Sequence, residues 1–325
     1  MDNPKPKVSV IVISKNEESV IAQCITSILS QTYSNFELIV VDSSTDRTLD
    51  VVRRITQCQI YSTIILKVPA YGAGYARNIG IDAASGEIVT FVDADETIPN
   101  NYLEEALKIF AKKEEVLFTY VRRDLISPKT LFGKLLYAYN HLFTLIDVEF
   151  DIPRFYRKFF FDVVGRYDDK MKALEDLELI MRARTMLKEK FANVCANTPV
   201  GHNHNWEDKS NLQGHFKICV WFGQGLLFLY CRYPKAFVRR VTAILYLSLV
   251  PFLILISFLW STFVVSLIPF ACIFPYCLFK AYKKKIERKW IPLMPFLMVY
   301  KALGHAVGMG QSFLDIIIHR RESYQ

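Results

Sequence analysis

A chain of 325 residues, 52% of them apolar, can bury a sizeable core and is long for one compact domain. Its net charge of +8 is concentrated on either side of a long uncharged tract, so anionic lipid headgroups are the better partner and nucleic acid is set aside. The seven cysteines are scattered with no CxxC pair or zinc spacing, which predicts reduced thiols in a cytosol-facing protein.

In chain order, MDNPKPK is followed by no apolar run with a small-residue cleavage site, so nothing at this end is expected to send the chain through a membrane. Val8 to Ser14 (VSVIVIS) is a β-branched strand, followed by the polar loop Lys15-Asn16-Glu17-Glu18 and a helical pattern through Ile21, Ile25, Ile28 and Leu29. Phe36 to Val41 (FELIVV) repeats the unit and ends in Asp42-Ser43-Ser44-Thr45-Asp46, which offers capping side chains to a helix carrying Leu49, Val52 and Ile55. A third strand from Ile64 to Val68 leads through a glycine-bearing loop to a helix at about Tyr75 to Ala84, and Ile88 to Val92 is a fourth strand. Alternating βα units with fully apolar strands imply an α/β fold whose parallel sheet is covered on both faces. Ligands of such sheets sit beyond the carboxyl ends of the strands, so the loops after Ser14, Val41 and Val92 should converge on one crevice.

Asp93-Ala94-Asp95 follows directly on the fourth strand, and alternation points both carboxylates to one side. Two hard oxygen ligands there suit Mg²⁺ or Mn²⁺ clamping a diphosphate, although two loop aspartates also read as caps or solvated charge. A helix is expected from Asn101 to Lys113, a strand from Val116 to Val121, and an aromatic-rich helix from Leu131 to Ile146, packed in a core or lying on a membrane surface. Later, Glu175-Asp176 opens the helical run ending in MRAR, and His202, His204 and Trp206 form the loop cluster HNHNW.

Val241 to Phe279 is uncharged and about twice the roughly 20 residues that one spanning helix needs, so a hairpin turning near Trp260-Ser261-Thr262 is expected. Arg239-Arg240 before it and Lys280, Lys283, Lys284 and Lys285 after it return both ends to the cytoplasmic side. Trp290 to Ile318 contains Lys301, His305 and Asp315 and is expected to be re-entrant, interfacial or spanning. The expected division is a catalytic domain over 1–237 and a membrane domain over 238–325, in a multi-pass protein of the cell membrane.

Four separated blocks carry a resemblance: the first strand with Lys15-Asn16-Glu17, the second ending in Asp42, Ala76-Arg77-Asn78-Ile79-Gly80 running on to Asp93-Ala94-Asp95, and Glu175-Asp176 with Leu177-Glu178-Leu179. Together they resemble the inverting glycosyltransferases of family 2, with their Rossmann-like GT-A fold, and among them the enzymes that act on polyprenyl phosphates or lipid-linked glycans. The resemblance covers roughly Val8 to Phe237. It implies that Ser14, Asn16, Glu17 and Asp42 grip the base and ribose of a nucleotide-sugar, while Arg77 and Asp93 lie at its diphosphate. It further implies that Asp95 and Asp93 hold the metal, with His204 or His202 as further ligands, and that Asp176 is the general base, with Glu175 and Trp206 on the acceptor side. Helix capping by Asp42 and Asp46, a surface ion pair at Arg77 and a helix-end charge at Glu175-Asp176 are the plainer alternatives. The family's processive synthases carry a QxxRW block that is missing from this sequence, so a single transfer to a lipid-linked or glycan acceptor is expected. A membrane-bound nucleotidyltransferase and an inactive nucleotide-sugar-binding scaffold remain the competing functions.

Overall fold

The computed structural model describes residues 5–57, 61–125, 130–142, 153–192, 195–204, 211–259, 275 and 288–322. The chain divides into two compact units, one formed by Met1–Ile126, Phe150–Met171 and Glu175–Asn205, the other by Ser127–Glu149, Lys172–Leu174 and Trp206–Gln325.

The first unit is built on an eight-stranded sheet: β1 (Val8–Ser14), β2 (Phe36–Asp42), β3 (Ser62–Lys67), β4 (Ile88–Asp93), β5 (Glu96–Thr97), β6 (Phe118–Leu125), β7 (Pro153–Arg157) and β8 (Cys195–His204), in the spatial order β3-β2-β1-β4-β7-β6-β8-β5. The first four are parallel, with Ser14 opposite Asp42 and Ile13 opposite Asp93, so their carboxyl ends share one edge. Their βα repeats account for this, because each strand must be followed by a helix that returns the chain to the far edge. Residue alternation then divides the core. Val8, Val10 and Val12 face α1 (Ile21–Leu29), α2 (Thr48–Thr56) and α4 (Tyr102–Lys112), whereas Ile11, Val89 and Phe91 face α3 (Ala73–Ala83), α6 (Phe160–Val164) and α7 (Glu175–Leu187).

Gly80 sits where α3 crosses β1, and a Cβ there would lie 2.5 Å from Ile11 Cγ2. Only glycine lets helix and strand approach this closely.

The sheet is mixed beyond β4: β7 runs antiparallel to both β4 and β6, and β5 antiparallel to β8. None of β5, β7 and β8 follows from the sequence pattern. The run PRFYR lacks β-branched residues and carries two arginines, so it reads poorly as an interior strand, although its side chains from Pro153 to Tyr156 are buried. His202 and His204, expected in a loop, lie instead on β8, with the backbone of His204 opposite Glu96.

The second unit is helical: α5 (Leu131–Leu142), α8 (Leu212–Arg232), α9 (Pro234–Leu259), a 3-10 turn (Arg288–Leu293) and α10 (Met294–Glu322). Leu136, Ala138, Tyr139, Trp290, Ile291, Met294 and Leu297 form one buried cluster within it. Helices α8 and α10 meet backbone to backbone, because a Cβ at Gly223 would strike the carbonyl of His305 and one at Gly308 that of Val220. Small residues four apart on α10, Gly304 and Gly308, make such close crossings possible. Gln224 bridges the pair through Gln311 at 2.9 Å and through Ser312 at 3.2 Å.

Among the described residues, one helix, Lys289–Ile318, is long and apolar enough to cross a membrane, and 56% of its most apolar stretch is buried within the protein. It runs unbroken from Met294 through the segment expected to be re-entrant, interfacial or spanning. The first arm of the expected hairpin falls in α9, while its turn near Trp260 and nearly all of its second arm lie outside the described residues.

Candidate active site

The carboxyl ends of β1, β2 and β3 gather around Asp42, which is fully buried. Its Oδ1 accepts hydrogen bonds from Ser14 Oγ at 2.8 Å and Ser44 Oγ at 2.5 Å. Oδ2 accepts from the Ser44 N–H at 3.2 Å and from Lys67 Nζ, an ion pair of 2.8 Å. Burial alone would raise this carboxyl, but the bonds from Lys67, Ser44 and Ser14 outweigh it and hold Asp42 below the usual aspartate range. Four donors saturate the carboxylate, so Asp42 locks the crossing of three strands. It does not cap α2. Asp46, just ahead of α2, accepts the N–H of Thr48 at 3.0 Å in a local turn, while the cap position itself, Arg47, makes no side-chain cap hydrogen bond.

The loop after β1 is stitched to the loop after β2. Asn16 adopts a left-handed backbone, φ 58°, which asparagine tolerates better than most residues. Its N–H donates to Ser44 Oγ at 2.8 Å and its Oδ1 accepts from the Thr45 N–H at 2.8 Å, while the Glu17 N–H donates to Thr48 Oγ1 at 2.9 Å. Asn16 remains exposed and Glu17 half-buried. Ser14, Asn16, Glu17 and Asp42 are thus brought together at one corner of the sheet edge.

A second cluster lies at the end of β4. Asp93 Oδ1 meets Arg77 Nη2 at 3.2 Å and Oδ2 meets Arg154 Nη1 at 3.1 Å. Arg154, 3% exposed on β7, also pairs through Nη2 with Glu96 at 2.7 Å, and Glu96 Oε2 accepts the N–H of Asp93 at 3.2 Å. Arg77 reaches the other way to Glu175 with Nη1, and its guanidinium lies 5.9 Å from the ring centre of Phe91 and 5.5 Å from that of Tyr167. Burial opposes its charge, but Glu175 and Asp93 together hold Arg77 firmly protonated. It is a buried bridge between two carboxylates and not the surface ion pair that the plainer sequence reading allowed. Asn78, the next residue, is spent on the backbone of Tyr167, donating to its carbonyl at 2.9 Å and accepting its N–H at 3.0 Å.

Asp95 is half-buried on the loop after β4. The buried thiol of Cys24 registers the local charge: burial pushes it up, and the carboxylates of Glu96, Asp93 and Asp95 push it further.

Glu175 and Asp176 open α7. Just before them, Leu174 has φ 61°, a left-handed conformation that a leucine adopts only under strain. Glu175 is buried, and burial raises its carboxyl against the pull of Arg77, with Asp176 adding to the rise. Asp176 is half-buried, and among the described residues it is hydrogen-bonded only through Oδ1, to the Leu177 N–H at 2.6 Å. Arg182 grips Glu178 at 2.7 Å one turn earlier, as its i,i+4 spacing predicts, and also donates to the carbonyls of Val164 and Arg166.

Of the sequence-derived candidates, Arg77, Asp93, Glu175 and Asp176 therefore form one continuous group. Trp206 lies outside the described residues, as do the side chains of His202 and His204. Sequence reasoning missed Arg154, Glu96 and Lys67. Glu96 stands next to the Asp93-Ala94-Asp95 motif and was within reach of inspection, but Arg154 has no local signal because β7 was not recognised.

No three His, Cys, Asp or Glu side chains gather into a metal cage among the described residues. A half-buried Asp95 beside the committed Asp93 fits a hard divalent ion that takes one or two protein carboxylates and completes its shell with phosphate oxygens and water.

Comparison with known proteins gives these residues a context. Residues 9–165 match the sequence profile of glycosyl transferase family 2. The chain is 34% identical over 128 residues to the Escherichia coli UDP-Glc:alpha-D-GlcNAc-diphosphoundecaprenol beta-1,3-glucosyltransferase WfgD, covering 39% of this chain and 49% of that protein. It is 31% identical over 137 residues to the putative glycosyltransferase EpsH of Bacillus subtilis, covering 42% and 40%. The chain thus spans about half or less of the length of these curated relatives. Its fold is similar to that of the mannosyltransferase PcManGT from Pyrobaculum calidifontis, solved with GDP-Man and Mn²⁺, with a TM-score of 0.61 at 20% identity over 94% of this chain and 87% of that one. It is also similar in fold to the Mycobacterium tuberculosis glucosyl-3-phosphoglycerate synthase, solved with Mn²⁺, UDP and phosphoglyceric acid, with a TM-score of 0.50 at 18% identity over 70% and 78%.

Proposed function

We propose that the chain, whose residues 9–165 match the profile of glycosyl transferase family 2, is a glycosyltransferase of that family moving a sugar from a nucleoside-diphosphate sugar to a lipid-linked acceptor by one inverting displacement. The observation that carries this reading is the Arg77 bridge, which joins Asp93 at the end of β4 to Glu175, and through it to Asp176, at the start of α7. One buried guanidinium thereby fixes the donor side and the base side of a reaction in a single geometry.

On this reading the first unit is catalytic. Asp42, saturated by its own neighbours, shapes the nucleoside corner, and the exposed Asn16 and half-buried Glu17 make the direct contacts to base and ribose. Asp95, seconded by Asp93, would hold Mg²⁺ or Mn²⁺, which supplies electrostatic stabilisation of the departing diphosphate. Arg77, Arg154 and Glu96 are positioning residues that keep Asp93 in place. As the acceptor oxygen bonds to the anomeric carbon, the bond to the diphosphate oxygen breaks and the negative charge leaves on the nucleotide. Asp176 Oδ2 takes the acceptor hydroxyl proton, while Oδ1 stays on the Leu177 N–H, which fixes the carboxylate's orientation. Glu175, held by Arg77, supports that position from the acceptor side.

The helical unit is assigned to a membrane, with the catalytic unit on the cytoplasmic side and both α9 and α10 embedded. Two features support this: the apolar run of α10, and the lipid-linked diphosphoundecaprenol substrate named for the E. coli relative.

The test is Asp176→Asn, assayed for transfer from a panel of nucleotide-sugars and, separately, for donor binding. Transfer should fall roughly 10²–10⁴-fold while donor affinity stays within about twofold. Full activity in this variant would remove Asp176 from the chemistry.

A further inference from the structure

Ahead of Glu175 and Asp176 the chain leaves the sheet unit after Met171, runs through the helical unit for Lys172, Ala173 and Leu174, and returns at Glu175. The first two of these three residues are anchored there. The Lys172 carbonyl accepts the indole N–H of Trp221 on α8 at 2.5 Å, and the Lys172 ammonium pairs with Asp315 on α10 at 2.7 Å. Ala173 is fully buried, and its backbone lies so close to α8 that a Cβ at Gly225 would strike its carbonyl. Trp221 is 42% exposed, so water could satisfy its indole, and the bond to Lys172 is not one that burial compels.

Leu174 comes next, at φ 61°. Glycine or asparagine takes a left-handed backbone at little cost, whereas leucine is strained there. Such a conformation persists only where its surroundings over-determine it. The anchors on Lys172 and Ala173 do so from one side, and the ion pair of Glu175 with Arg77 from the other. The backbone angle at Leu174 sets the direction in which α7 starts, and Asp176 is the second residue of that helix. Its own hydrogen bond, from the Leu177 N–H, orients the carboxylate within α7 and does not fix where α7 begins. A reacting group displaced by about 1 Å loses on the order of 10²-fold in rate, so a small change at Leu174 is felt at the base.

We propose that Trp221 and Gly225 are positioning residues of the transfer reaction: they hold Lys172 and Ala173, keep Leu174 left-handed and thereby aim Asp176 at the acceptor hydroxyl. This rests on the assignment above of Asp176 as the general base, and it adds the α8 residues that place it. The link runs through the peptide bonds from Lys172 to Asp176.

The test uses the purified full chain in a neutral detergent and two variants. Trp221→Phe removes the indole N–H and keeps an aromatic ring, and Gly225→Ala pushes the Ala173 carbonyl away. In the transfer assay used for Asp176→Asn, kcat should fall about tenfold in Trp221→Phe and further in Gly225→Ala, while the donor KM stays within about twofold. Added to Asp176→Asn, Trp221→Phe should lower the residual rate by less than about twofold, because it acts through a base already removed. Hydrogen exchange, read by mass spectrometry, should be at least about threefold faster over Lys172 to Leu179 in both variants and unchanged over β1 to β4. Parental kcat in both variants, or losses that multiply in the double variant, would overturn the assignment. Exchange that quickens throughout the sheet unit would reduce Trp221 and Gly225 to ordinary packing. A parent that transfers from no nucleotide-sugar, or full activity in Asp176→Asn, would sink the reading on which the assignment rests. Lost transfer in Asp176→Asn together with parental kcat in Trp221→Phe and Gly225→Ala would sink the assignment alone.

Discussion

Asp93 meets two guanidinium groups, one from α3 and one from β7, so its carboxylate is committed before any donor arrives. Arg154 is the more buried of its partners and also neutralises Glu96, whose side chain is 2% exposed. Removing one member of a buried ion-pair group strands its partners, at about 3–5 kcal/mol. Arg154→Met is therefore expected to lower the stability of the chain by that order, read as a shift in the denaturant midpoint. Arg154→Met combined with Glu96→Leu should recover part of the loss, and additive losses in that double mutant would show that the pair is not coupled. The acidic members of this site were legible in the sequence, because aspartates directly after an apolar strand must lie at a sheet edge. Their basic partner was not, since Arg154 comes to Asp93 from 61 residues away through the antiparallel pairing of β7 with β4.

At the scale of elements, the opposite edge of the sheet is held by Glu37, a buried carboxylate on β2. It accepts from Ser9 of β1 at 2.6 Å and from the N–H of Ser85 before β4 at 2.7 Å, and it pairs with Lys7 at 2.8 Å. Burial would raise it, but the bonds from Lys7, Ser9 and Ser85 bring it down to about 2. A folded value below the unfolded one means that the folded state binds fewer protons between the two. This contribution to stability is therefore present above about pH 4.3 and lost as the pH falls toward about 2. It amounts to about 2–3 kcal/mol. Urea unfolding from pH 5 down to about pH 2 should show a steeper loss for the parent than for Glu37→Gln, and parallel curves would count against the network. The opening βαβα units were readable because each strand is apolar throughout and each helix repeats at 3.6. Strand β7 was not, because its fitness for the sheet comes from Arg154 and Arg157 finding partners in three dimensions, Arg157 donating to the carbonyls of Val116 and Phe110.

For the whole molecule, the proposed membrane placement rests on the helical unit. With α10 long and apolar enough to span, the full chain is expected to sediment with membranes and to stay there through an alkaline carbonate wash, as an embedded protein does. Release into the soluble fraction would reduce the helical unit to a peripheral or soluble bundle. The buried share of α10 follows from its crossing with α8, where Gly223, Gly304 and Gly308 permit contact that any side chain would block.

The sequence by itself determined the parallel opening of the sheet, the acidic edge at Asp42 and Asp93, the helix that begins at Glu175, and an apolar carboxyl-terminal segment. All of these are local signals of period, polarity and order along the chain. Only the tertiary structure decided how those acids are held: Asp42 by Lys67, Asp93 by Arg77 and Arg154, and Glu175 by the same Arg77. It also decided that His202 and His204 lie on a strand and that His215 and Lys301 lie buried within one helical unit. The reason is physical. A buried charge needs a partner within a few ångströms, and the chain supplies that partner from any sequence distance that the fold can close.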